Sequence, residues 1–212
     1  MTRPLVIATP GGDAHRVGSG LAAELLELPD PTGISGWDEA VALEAWRAAH
    51  GADEQHDEVV VMVQAAPPQR ADAVALDPSD WFGRAERPLA MWVAALGVAV
   101  GRVAEGGTIV AVVDQPGPLD STGWAAEAAV ADAVEALIRS LAKSEGPTRN
   151  VRVNLVTTPR LLVAGPVSPA PPLDGFPGTL DQVIAATRML LAGEDSVVTG
   201  SVVHADAGRD YR

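Results

Sequence analysis

Gly106-Gly107-Thr108-Ile109-Val110-Ala111-Val112-Val113 and, further along, Val151-Arg152-Val153-Asn154-Leu155-Val156 decide the fold of this chain. Each is a short, mostly β-branched apolar run, as a strand buried on both faces requires. Between them lies an Ala-rich segment, 123–143, ending in Arg139-Ser140-Leu141-Ala142-Lys143, which reads as a helix. A strand, a long helix and a second strand imply a parallel pair joined by a crossover helix.

The same alternation extends in both directions. Pro4 to Ala8 is a first buried strand, closed by Thr9-Pro10-Gly11-Gly12. Gly18 to Leu28 reads as a helix, because Leu21, Leu25 and Leu28 recur at helical spacing. A short strand near Leu26 to Leu28 is the other reading of its end. After the breakers of 29–36, Trp37 to His50 is a second helix, with Val41, Leu43 and Trp46 as its candidate buried side. Val59 to Val63 is another strand, Ala65 to Asp77 an irregular connection, and Pro78-Ser79-Asp80 before Trp81 a helix start. Pro88 interrupts or kinks the chain after that start, and Leu89 to Ala104 is an apolar helix. Beyond the Val151 strand, Arg160 to Gly178 is a Pro-rich loop, Leu180 to Leu191 a helix, and Ser201 to Ala205 a last strand. Strands alternating with helices predict an α/β protein, a doubly wound parallel sheet with helices on both faces, in one domain spanning 1–212.

Composition narrows the function. Over 212 residues, 47% are hydrophobic, enough for a full core. The formal net charge of −13 opposes phosphate backbones, so no nucleic-acid partner is expected. There is no cysteine, which excludes disulfides, thiolate metal sites and a thiol nucleophile. His15, His50, His56 and His204 are scattered, and no spacing suggests a metal site. No segment reads as a signal peptide or membrane span, so a cytoplasmic location away from membranes is expected.

The order of these runs, together with Ser-Val-Val-Thr-Gly-Ser-Val-Val-His-Ala-Asp-Ala-Gly at 196–208, resembles the short-chain dehydrogenase/reductase family, in the manner of 3-oxoacyl-carrier-protein reductases. The resemblance implies a Rossmann-like sheet, shortened here in the N-terminal, nucleotide-binding half. The family opens with a Thr-Gly-x-x-x-Gly-x-Gly turn that cradles a pyrophosphate. Here the corresponding glycines are Gly11, Gly12, Gly18 and Gly20, spread over a stretch that reads as too long a loop and carries Asp13. The family's ribose-gripping acid has only Glu27 and Asp30 as nearby counterparts. The interval from Leu28 to Glu58 is too short for all the strands the family places there. No cofactor is therefore expected.

The catalytic positions implied by the resemblance are also substituted. The family's Asn corresponds to Pro88, its Ser to Asp114, its Tyr to Glu127 and its Lys to Ala131. Its Asn-Asn-Ala-Gly reads Val63-Gln64-Ala65-Ala66, and its Pro-Gly after the Val151 strand reads Thr158-Pro159. Reduction of a carbonyl needs a proton donor at the oxygen. The only tyrosine is Tyr211, next to the C-terminal residue, and a carboxylate at 114 would repel a developing oxyanion.

The expected function is a catalytically inactive subunit supporting an active reductase or dehydrogenase of the same family, one acting on acyl thioesters, or assembling with itself. Trp92 and Trp124 are candidate interface anchors. The alternative is a cofactor-independent dehydratase, cyclase or isomerase using Asp114 and Glu127, on one cleft wall, as acid and base.

Overall fold

The structure is a computed structural model and describes residues 3–30, 36–52, 54–64, 71–116, 122–159, 162–163, 178–192 and 197–205. The Pro-rich stretch 166–177, Ala65, Ala66, Tyr211 and the Asp-x-Gly landmark at 206–208 lie outside these residues.

Six parallel strands form the central sheet: β1 (Leu5–Ala8), β2 (Glu24–Glu27), β3 (His56–Met62), β4 (Val103–Asp114), β5 (Arg152–Thr158) and β8 (Val202–His204). Their spatial order is β2-β1-β3-β4-β5-β8, and every pair is parallel. Two short strands, β6 (Leu162–Val163) and β7 (Gly178–Thr179), pair separately. The order reverses between β1 and β3, the switch point at which a doubly wound sheet opens a cleft beyond its strand ends.

Helices cover both faces, and the pleat explains how. Odd residues of the central strands, such as Leu5, Val59, Ile109 and Leu155, pack with α2 (Gly36–His50), α4 (Arg87–Arg102) and α5 (Ala125–Arg149). Even residues, such as Val6, Val60, Val110 and Val156, pack with α1 (Gly12–Leu21) and α6 (Leu180–Leu191). Strands buried on both sides need no polar alternation, and the runs at 59–63 and 108–113 have none.

Two helices and one candidate core residue differ from the sequence reading. The helix expected over 18–28 is instead α1 over 12–21, followed by the edge strand β2. Ala22 ends α1 in the left-handed conformation, φ 54°, with its amide and that of Ala23 donating to Ser19 and Gly18 carbonyls. The helix expected over 123–143 continues to Arg149 through Pro147. The Arg149 guanidinium anchors that extra turn by donating to the carbonyls of Val100, at 2.7 Å, and Val103, at 2.5 Å. The helix start at Asp77 forms as expected, with its carboxylate accepting from the Asp80 amide, and opens α3 (Pro78–Trp81). Val41 on α2 is 66% exposed rather than buried, whereas Leu43 and Trp46 are buried.

The shortening of the N-terminal half takes a definite form. Among the described residues the sheet ends at β2, with no strand beyond it. The Trp46 indole donates to the Glu27 carbonyl at 3.0 Å, satisfying an acceptor on that rim.

Candidate active site

The strand ends at the switch point define the cleft. At its first corner the turn after β1 is short. Gly11 and Gly12 adopt φ of 74° and 68°, which side-chain-bearing residues rarely take, and α1 begins at once. The expectation of an over-long loop is therefore incorrect. Gly18 and Gly20 are not loop residues but lie in α1. A Cβ on Gly20 would collide with Ile184, so this glycine lets α1 approach α6. The β1–α1–β2 unit is complete, and Glu27 ends β2, its carboxylate 2.7 Å from His15 Nε2.

The N-terminus of α1 already has an occupant. Gly11 has no side chain to cap the helix, and Gln64, just after β3, does so instead. Gln64 Oε1 accepts from the Ala14 amide at 3.2 Å, and the Gln64 amide donates to Thr9 Oγ1 at 3.1 Å. Asp13 stands in the same first turn, 3.3 Å from Arg16.

At the second corner lie the positions corresponding to the family's catalytic residues. Pro88 is buried in the first turn of α4. With no N–H it cannot donate to the Arg84 carbonyl, and the chain before it widens into a π-helical turn, Phe82–Glu86, with the Arg87 amide donating to the Phe82 carbonyl. The break expected at Pro88 therefore falls just before it. The π turn turns Arg84 inward. Arg84 Nε and Nη2 donate to the two carboxylate oxygens of Glu127 at 2.8 and 2.9 Å, and Nη2 also reaches the Gly123 carbonyl at 3.3 Å. The guanidinium lies 5.8 Å from the Trp124 ring centre. Side-chain exposures are 12% for Arg84 and 6% for Glu127. One turn further along α5, Ala131 is buried in the apolar core.

Asp114 is half-buried at the end of β4, opposite Thr158. By the pleat it belongs with Val110 and Val112, on the α1 and α6 face, while Glu127 sits on α5 across the sheet. Asp114 closes β4 and Glu127 stands in the first turn of α5, so the two carboxylates reach the strand ends from different elements. Glu127 is also neither solvent-facing nor unpartnered. On the α5 face, Thr157 Oγ1 and His204 Nδ1 are 2.7 Å apart and tie β8 to β5.

Sequence reasoning missed Arg84 and Gln64. Both act across long chain separations, 43 and 50 residues, which no local pattern encodes. The one available signal for Arg84 is the proline four residues after it. Trp92, proposed as an interface anchor, is 1% exposed and belongs to the core; its bulk lies inside the molecule, where no partner reaches it. Trp124 is half-buried beside Arg84. Among the described residues no group of three or more His, Asp or Glu is placed to hold a metal ion, and no helix is long and apolar enough to cross a membrane.

No family model and no curated protein matches the sequence. Solved structures do match the fold. A small-chain dehydrogenase in complex with NADPH is similar with a TM-score of 0.68 at 16% identity, covering 99% of each chain. A short-chain dehydrogenase/reductase from Serratia marcescens gives 0.66 at 17% identity over 99% of this chain and 98% of that one. One from Mycobacterium ulcerans gives 0.62 at 19% identity over 99% of this chain and 90% of that one. The chain has the Rossmann-like fold of these short-chain dehydrogenases/reductases.

Proposed function

We propose that this chain is a short-chain-dehydrogenase-like subunit that transfers no hydride itself and acts by assembling with an active dehydrogenase or reductase of the same fold. The observation that carries this reading is the buried Arg84–Glu127 pair. The position corresponding to the family's proton-donating tyrosine holds a carboxylate whose two oxygens are both engaged by one guanidinium. The position corresponding to the lysine holds an alanine sealed in the core. No side chain at either position can deliver a proton to a carbonyl oxygen.

A surface for assembly lies on α4 and α5. Ala90 and Val93 on α4, and Ala129 and Ala136 on α5, are exposed, with Ala133 half-buried between the latter two. Small side chains there let a partner's helices approach closely. The sequence resemblance to 3-oxoacyl-carrier-protein reductases makes a reductase acting on acyl thioesters the first partner to try. The Arg84 guanidinium weakens the non-redox alternative, because it engages both oxygens of the Glu127 carboxylate.

Co-expression with a homologous active dehydrogenase tests the proposal. The expected result is a stoichiometric complex in which the partner's activity or melting temperature rises, while the chain alone oxidises no NADPH with any ketone supplied. Ketone-dependent NADPH oxidation by the purified chain alone would refute it.

A further inference from the structure

The completeness of β1–α1–β2 raises a question that the substituted catalytic residues do not answer. The turn is short, α1 starts directly after it and Glu27 ends β2, so a helix N-terminus stands at the switch point, where the resemblance would put a dinucleotide's phosphates. We propose that Gln64 is an intramolecular stopper, an autoinhibitory contact that closes the α1 N-terminus to diphosphates. The inference rests on the non-redox reading above and supplies a cause for it.

Three facts combine in this argument. A helix N-terminus carries unsatisfied amides and partial positive charge, both of which favour an oxygen ligand. In this chain the ligand is the Gln64 carbonyl oxygen, supplied from the far side of the switch point and fixed through the Gln64 amide to Thr9 Oγ1. A Cβ built on Gly12 would lie 3.4 Å from Gln64 Oε1, in van der Waals contact, so the glutamine stands against the first turn. A phosphate oxygen seeking the Ala14 amide must displace that carbonyl. It must also approach the Asp13 carboxylate, which Arg16 screens only from an exposed position. The chain thus covers its own positive helix end with one neutral and one anionic oxygen group.

Calorimetric titration of the full chain with inorganic pyrophosphate and with NADPH tests the stopper. Gln64→Ala removes it. Gln64→Asn, shorter by one methylene, withdraws the oxygen while keeping an amide, and serves if the alanine variant melts too low. Wild type is expected to show no saturable binding of either probe. Both variants are expected to gain affinity for pyrophosphate by about tenfold or more, with the gain falling at high salt. If neither variant binds better than wild type, the stopper is wrong and the non-redox reading stands untouched. If wild type already binds NADPH tightly, the stopper is wrong and the expectation of no cofactor falls with it. Ketone reduction by wild type would overturn the non-redox reading itself.

Discussion

Replacing Glu127 by glutamine leaves Arg84 as a buried cation without its anion. In the native chain Arg84 makes three hydrogen bonds, two to the Glu127 carboxylate and a longer one to the Gly123 carbonyl. Only the last, and the Trp124 ring beside it, persist fully in the variant. Removing one partner of a buried pair costs about 3–5 kcal/mol, because the remaining charge keeps its desolvation penalty. With the Gly123 carbonyl and Trp124 offsetting part of that, about 3 kcal/mol is expected. For a chain of this size that corresponds to a fall of roughly 6–12 °C in melting temperature. The double variant Arg84→Met with Glu127→Leu removes both charges, and should recover most of the loss, since apolar replacements of buried pairs are often neutral. Urea unfolding of wild type, Arg84→Met, Glu127→Leu and the double variant closes a thermodynamic cycle, with a coupling of about 2 kcal/mol or more expected. A Glu127→Gln variant within about 0.5 kcal/mol of wild type would show that the pair is not a structural strut. The carboxylate would then be available for chemistry, and the proposed function would lose its main support.

Local geometry sets two further outcomes. A Cβ at Gly101 would fall inside the radius of the Gly51 backbone carbonyl, whereas one at Gly20 meets only the side chain of Ile184. Gly101→Ala should therefore destabilise by about 1–3 kcal/mol by prising α4 from the end of α2, while Gly20→Ala stays near neutral as Ile184 turns aside; paired thermal melts decide. The Glu58 carboxyl is raised above the usual glutamate range, first by burial, then by Asp57, with Arg152 opposing. Folding therefore favours its protonated form: that contribution is fully present below the ordinary glutamate pKa and is lost as pH rises through the raised one. Glu58→Gln should melt higher than wild type at neutral pH, with the difference disappearing near pH ~4, and an equal difference at both pH values would contradict the sign.

The parts of the fold that could be read from sequence are those in which one residue pattern suffices. The β-branched runs of β3, β4 and β5 are buried on both faces and read directly as strands. The helix α6 falls on its expected span, because Thr179 and Gln182 form a capping box at its start. The first helix was not legible, and β2 only as the alternative strand near Leu26 to Leu28, for physical reasons. The start of α1, Asp13 to Arg16, is polar and comes after two glycines, so it resembles a turn. Its end is set by Ala22 in a conformation that glycine usually signals. The strand β2 is an edge strand, mostly exposed, and lacks the burial that makes a strand visible. Gly146 and Pro147 read as a helix stop, yet the Arg149 anchors hold the helix past them. For the candidate site, the resemblance alone pointed to Pro88, Asp114, Glu127 and Ala131 as substituted positions. What those substitutions do was not, because Arg84 and Gln64 act through contacts that only the folded chain creates.

Several arginines turn inward to carbonyl oxygens. Arg102 reaches the Glu54 carbonyl at 2.6 Å and His56 Nε2 at 3.1 Å, Arg149 serves Val100 and Val103, Arg152 serves Leu190 and Leu191, and Arg188 serves Gly20. With Arg84 and Arg87 also bound to carboxylates, six of the 15 cations are engaged within the chain, Arg188 among them from an exposed position. The outward electric field is that of the formal net charge, −13. An identical molecule must approach uphill against that field, whereas a companion presenting lysines and arginines is drawn in from a distance. Electrostatics alone thus biases this molecule toward unlike company.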